Sequence, residues 1–170
     1  WMSFFSFCLG AVVLTRITAL IFLPFFYLFL LTAQKQAYLQ SKSFQARFWF
    51  ATFAPLLSML FLVAWYNTFR FGSPWSLGYE TDNWQTPFFT GLYGLLLSPG
   101  KGLFWYFPII LFSPFGFWCF WQRQPDVAKL FLGLVLISII FHSPYTYWEG
   151  GSSWGPRLIL PILPYLILPL

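Results

Sequence analysis

Three bases, Arg16, Lys101 and Arg157, each stand directly at the edge of an apolar run. A base at such an edge can grip the phosphate of a membrane lipid through charge and N–H donors. The plainer alternative is a residue that marks the edge or neutralises headgroups. Lys101 and Arg157 each follow glycine and proline closely, in Pro99-Gly100-Lys101 and Gly155-Pro156-Arg157, and each opens an apolar stretch. A bound anion would satisfy the base and the free N–H groups of a helix start together.

The acids gather near the same bases. Glu80 and Asp82 lie in GYETDNW, where they can orient a polar substrate, bind a divalent ion or simply be solvated. Glu149 lies in YWEGGSSWGPR, Tyr147–Arg157, close enough in sequence to Arg157 for a loop-shaping ion pair, or poised for substrate contact. Trp75, Trp84, Trp148 and Trp154 offer ring faces on which sugars can stack, or they form the aromatic belt of a membrane interface. His142, the single histidine, ends an apolar run and is expected to cap its helix, with proton transfer as the alternative.

Several chemistries are excluded. GLYGLLLSPGKG is glycine-rich, but Gly102 follows Gly100-Lys101 where a phosphate loop needs Ser or Thr. There is no nucleophile motif, no metal-ligand cluster, no cofactor fingerprint and no basic run able to track a nucleic-acid backbone. Cys8 and Cys119 both lie in apolar runs and read as packed thiols.

The elements that must hold these residues are read from hydropathy. The chain has 170 residues, 59% apolar and 25% aromatic, with 8% charged and a net charge of +5. Soluble domains carry about 25% charged residues, so the composition predicts an integral membrane protein. The predicted class is all-α, a polytopic bundle with spans at roughly 4–14, 17–33, 48–66, 103–121, 127–142 and 158–170, the fourth kinked at Pro108 and Pro114. The run 88–97, FFTGLYGLLL, is too short to span and predicts a helix lying in the interface. Loops 67–101 and 143–157 fall on one side of the alternation together with Arg16. That side holds Arg70, Lys101 and Arg157 and three of the four acids, Glu80, Asp82 and Glu149. The other side holds Lys35, Lys42, Arg47, Arg123 and Lys129, and the base-rich side is expected to be cytoplasmic. The opening Trp1 and the short closing run are expected to mark a piece of a longer protein.

Four phrases in order resemble the polytopic glycosyltransferases of the C fold, near family 39 and its bacterial relatives. VLTRITALIFLP (13–24) is similar to their short-turn helix hairpin, and YNTFRFGSPWSLGY (66–79) to the segment leaving a helix for the outer surface. GLYGLLLSPGKGLFWYFPIIL (91–111) resembles their surface helix, turn and following span, and WEGGSSWGPRLILPILP (148–164) their late loop and helix. Together they cover somewhat under half of the chain. The resemblance implies transfer of a sugar from a polyprenyl-phosphate donor at the outer face of a bacterial inner or plasma membrane. It implies no nucleic-acid partner and no cofactor, and leaves a divalent metal open. By position, Lys101 and Arg157, with Arg16, would face the carrier phosphate. Glu80 or Glu149, with Tyr79 and Trp154, would meet the sugar or acceptor. The family's catalytic acid would lie upstream of Trp1, so no catalytic residue is assigned. Two other classes remain open: a flippase or transporter of lipid-linked saccharides, and a non-catalytic membrane scaffold. A transporter should carry charges within its spans, and the apolar runs here hold almost none.

Overall fold

The computed structural model describes residues 2–15, 17–33, 42–75, 84–152 and 155–170. All regular structure among them is helical, with no strand. The contacts divide the chain into two units, Trp1–Glu80 and Thr81–Leu170.

The first unit holds α1 (Met2–Thr15), a 3-10 segment (Ile17–Phe22), α2 (Leu23–Ala33) and α3 (Lys42–Phe71). Phe48, Thr52, Leu56 and Met59 are buried and recur every three or four residues, which puts them on one face of α3. α1 presents Ser6, Gly10 and Val13 at the same helical spacing, all buried. Gly10 is required there: a Cβ would come within 2.7 Å of Met59 Cγ. α2 joins both neighbours through rings. Phe26 meets Phe5 edge-on at 5.8 Å, and Tyr27 stacks on Phe53 at 5.8 Å. The opposite face of α3 carries Phe50, Leu57, Phe61, Trp65 and Phe69, all exposed. Pro55 does not end α3, and the Ser58 hydroxyl donates to its carbonyl at 2.7 Å. α3 stops at Gly72, whose φ of 78° only glycine adopts cheaply and whose N–H returns to Thr68 O at 3.0 Å.

The second unit holds α4 (Phe88–Leu97), α5 (Leu103–Tyr106), a 3-10 segment (Pro108–Phe112), α6 (Ser113–Arg123), α7 (Pro125–His142), a 3-10 turn (Leu160–Ile162) and α8 (Leu163–Ile167). Leu95, Leu103, Ile110, Val135, Ile159, Ile162 and Leu166 form its core. Each side chain of this size contributes about 1.5–3 kcal/mol when fully buried. Phe120 of α6 stacks on Phe131 of α7 at 5.8 Å, closing the α6–α7 hairpin.

The all-α class therefore stands, but a polytopic bundle does not follow from it. Among the described residues, two helical stretches are long and apolar enough to cross a membrane, Ala46–Phe71 and Pro125–His142. The predicted span 103–121 is three pieces: α5, a 3-10 segment and most of α6. The cause is Pro108, which lacks an N–H and forces Phe107 before it out of the helical region, to φ −135° and ψ 68°. The stretch 158–170 holds only a 3-10 turn and a five-residue helix, with prolines at 161 and 164. Residues 17–33 begin as 3-10 rather than α.

Candidate functional site

The site is built at the end of the second unit where α4, the 98–102 turn and the 143–157 loop meet. α4 covers the apolar run FFTGLYGLLL and nothing more. Pro87 before it and Ser98 after it are both extended, at ψ 131° and 130°. Ser98 O then accepts two N–H groups, from Lys101 at 3.3 Å and Gly102 at 2.6 Å. A Cβ on Gly102 would lie 2.5 Å from that carbonyl, so this turn needs a glycine. Two aromatic donors brace it from α5. Trp105 Nε1 donates to Leu97 O at 2.9 Å, and the Tyr106 hydroxyl donates to Gly100 O at 2.9 Å. Lys101 is thereby held, half-buried, at a fixed point.

The second component leaves α7 at Ser143, whose hydroxyl donates to Ile139 O at 2.7 Å. Successive turns follow, with Trp148 N–H donating to Tyr145 O at 3.2 Å and Gly150 N–H to Tyr147 O at 2.9 Å. Gly150 and Gly151 have φ of 70° and 71°, which side chains with a Cβ strongly resist. This loop sits on α4 at two glycines. A Cβ on Gly91 would overlap the carbonyl oxygen of Ser143, and one on Gly94 would overlap the Trp148 ring. The strand of chain before α4 clips the same loop. Thr86 N–H donates to Pro144 O at 3.1 Å and its hydroxyl to Tyr145 O at 3.2 Å.

Lys101 closes the arrangement. Its Nζ donates to Gly151 O at 2.8 Å, across 50 residues of sequence. Tyr106 ties in the third turn, because a Cβ on Gly155 (φ 67°) would stand 3.1 Å from Tyr106 Cδ1. One tyrosine thus touches both the turn that carries Lys101 and the turn that leads to Arg157. Arg157 itself is exposed, with its N–H on Gly155 O at 3.0 Å. Glu149 is half-buried between Trp148 and the glycine pair.

Of the sequence-predicted residues, the structure brings Lys101 to the loop that carries Glu149, and joins the Lys101 and Arg157 turns through Tyr106. Arg16, Tyr79, Glu80, Asp82 and Trp154 lie outside the described residues. Glu149 and Arg157 form no ion pair. Among the described residues the ion pair present is Lys129–Asp126 at 3.6 Å, on the exposed start of α7. The picture of each base opening a long helix also fails. α5 has four residues and the turn after Arg157 leads to a three-residue 3-10 segment, so neither base faces a developed helix dipole. Trp148 is no stacking platform, since its ring is seated against Gly94 and the apolar core. His142 is buried, with Nδ1 2.8 Å from Ser138 O one turn earlier, in keeping with an end-of-helix role. Tyr106 was missed in the sequence. Its signal was a lone phenol in the apolar run five residues after Lys101.

No group of three or more His, Cys, Asp or Glu that could hold a metal occurs among the described residues. The arrangement offers a positioned ammonium, an exposed guanidinium and a half-buried carboxylate beside apolar helices. Compared with protein-family models, curated proteins and solved structures, the chain matches none of them.

Proposed function

We propose that this chain forms part of a membrane glycosyltransferase. It moves a sugar from a polyprenyl-phosphate donor to an acceptor at the outer face of a bacterial inner or plasma membrane, within a polytopic helix bundle. The observation that carries this reading is the contact between Lys101 Nζ and Gly151 O at 2.8 Å, which puts a cation against the loop bearing Glu149. The ordered resemblance to the C-fold enzymes supports it, as does the apolar surface of α3.

The chemistry asked of these residues is electrostatic. The acceptor oxygen forms a bond to the anomeric carbon while the bond from that carbon to the carrier phosphate oxygen breaks. Negative charge grows on the departing phosphate, and the acceptor proton leaves with a base. Lys101 and Arg157 stabilise the phosphate as it departs, a contribution of the kind that fixed cations make to developing anions. Glu149 accepts hydrogen bonds from sugar hydroxyls.

The test uses the full chain in nanodiscs with a polyprenyl-phosphate donor carrying a radiolabelled sugar. Lys101→Ala and Arg157→Ala should each weaken donor binding by about 1–3 kcal/mol, the value of a charge-assisted hydrogen bond. Arg157→Lys should recover only part of the loss, because lysine cannot form the bidentate contact. Unchanged donor constants in variants that melt normally would reduce both bases to interface anchors. Movement of intact lipid-linked saccharide across the bilayer without transfer would support a flippase instead.

A further inference from the structure

Three hydroxyls inside the first unit have no hydrogen-bond partner: Ser6 Oγ on α1, Tyr27 Oη on α2 and Thr52 Oγ1 on α3. Ser6 and Thr52 are wholly buried, at 0% exposure. A serine or threonine on a helix can donate to a carbonyl one turn before it. Ser58 does so to Pro55 O and Thr68 to Ala64 O. Ser6 and Thr52 do not, although the same option lies within their own helices.

The contacts bring the three hydroxyls to one level. Tyr27 stacks on Phe53 of α3 at 5.8 Å. The Tyr27 hydroxyl also faces the Ser6 side chain of α1, without the alignment of a hydrogen bond. Ser6 therefore stands level with Phe53. One turn further along α1, a Cβ on Gly10 would lie 3.8 Å from Pro55 O and 2.7 Å from Met59 Cγ. α1 and α3 thus run in the same direction, and Thr52, on the buried face of α3, comes opposite Ser6. The edge-on pair of Phe5 and Phe26 joins α1 to α2 at the same height.

Chemistry and size choose the occupant. All three groups are neutral, and each can both donate and accept. Among the described residues of the first unit there is no Asp or Glu to offset the lost hydration of a cation. An apolar ligand would leave all three hydroxyls unmatched. At Gly10 the helices approach too closely to admit even a methyl, so nothing long extends along the seam in that direction. A single water has the required double character, and a buried water is held by about two to four polar partners. We propose that Ser6, Tyr27 and Thr52 together hold one buried water molecule, which ties α1, α2 and α3 to one another. Within a bilayer no outside solvent reaches such groups, so the held water is what lets three hydroxyls sit in the seam. The site owes nothing to the glycosyltransferase reading.

The experiment is X-ray radiolytic footprinting of the full chain in nanodiscs, read by mass spectrometry. Hydroxyl radicals form from water in place, so a ring is oxidised when a water lies against it. After correction for intrinsic reactivity, Tyr27 should be oxidised at least about fivefold faster than Phe26, its neighbour on α2. Thr52→Val keeps the shape of the side chain and removes the hydroxyl, and it should lower Tyr27 oxidation about fivefold or more. Ser6→Ala should do the same, and it carries the test if Thr52→Val fails to melt as a folded protein. Tyr27 oxidised no faster than Phe26 overturns the site, as does a rate that both variants keep. Equal oxidation of Tyr27, Phe26 and Met59 overturns it in favour of an open water path. A melting temperature that rises in sodium over choline at equal ionic strength, and rises less in Thr52→Val, overturns it in favour of a cation.

Discussion

Replacing Gly91 by alanine tests how the 143–157 loop is held in place. In an unencumbered helix the change should stabilise, because alanine is favoured over glycine by about 1 kcal/mol. Here the new methyl would overlap the carbonyl oxygen of Ser143, a backbone atom that cannot swing aside as a side-chain end can. Overpacking of this kind costs about 1–3 kcal/mol. If the loop lifts instead, the two hydrogen bonds from Thr86 to Pro144 O and Tyr145 O stretch, and each is worth about 1 kcal/mol. By either route Gly91→Ala should destabilise by about 1–2 kcal/mol net. Gly94→Ala should cost less, since its methyl meets the outer edge of a side chain, Trp148, rather than a backbone carbonyl. Gly100→Ala is the control: nothing lies within 4 Å of its Cβ position, and its φ is not in the left-handed region. The assay is thermal unfolding in detergent, with limited proteolysis at Gly150–Ser152 as the loop readout. The expected order of stability is Gly100→Ala, then Gly94→Ala, then Gly91→Ala, with loop cleavage fastest in the last. A Gly91→Ala protein as stable as the parent, with an uncut loop, would refute the seating of Ser143 on α4.

Cysteines introduced at Ser41 and Ser152 should label from opposite faces of the membrane, Ser41 from the cytoplasm, and labelling of both from one face would end the proposed topology. Gly72→Ala should destabilise by about 1–2 kcal/mol in thermal melts, because its φ of 78° is costly for a residue with a Cβ even though no atom crowds the site. Tyr106→Phe removes the hydrogen bond to Gly100 O but keeps the ring beside Gly155. It should cost about 1 kcal/mol of stability and raise the apparent donor constant by loosening the Lys101 turn, and an unchanged donor constant would show that the turn holds without the phenol. Lys129→Ala should change the melting free energy by less than about 0.5 kcal/mol, because its pair with Asp126 is largely exposed on both sides.

What could be read from the residues followed the strength of local signals. α4 was legible to its last residue because Pro87 and Ser98-Pro99 fence an uninterrupted apolar run. α7 was legible for the same reason, between Pro125 and Ser143. The stretch 103–121 was read as one span kinked at Pro108 and Pro114, and at Pro108 the kink is a full break, because hydropathy does not register how far a proline interrupts the backbone. Phe107 and Gln124, each before a proline, adopt nearly the same non-helical backbone, at φ −135° and −140°, whereas Pro55 passes inside α3 without ending it. Proline type alone does not say which case applies. The site was half-legible. Lys101 and the glycine-rich loop stood out as types, but their meeting depends on pairings across about fifty residues, such as Lys101 with Gly151 and Gly91 with Ser143. Gly91 and Gly94, costly in a helix by propensity alone, are the points at which α4 meets the loop. Glu149 and Arg157, close in sequence, form no ion pair.

The α6–α7 hairpin turns on a single non-helical residue, Gln124. Such a turn leaves no slack for one helix to enter a bilayer while its partner waits outside. Under the membrane reading the two must be threaded in as a unit, already paired through Phe120 and Phe131. The exposed charges of Arg123, Asp126 and Lys129 would then stay behind at the water boundary and set how deep the pair can go. A few flexible residues inserted after Gln124 would let each helix insert without its partner. The expected injury is to biogenesis, seen as a chain degraded during synthesis, while molecules that do complete insertion keep the fold of the unaltered hairpin.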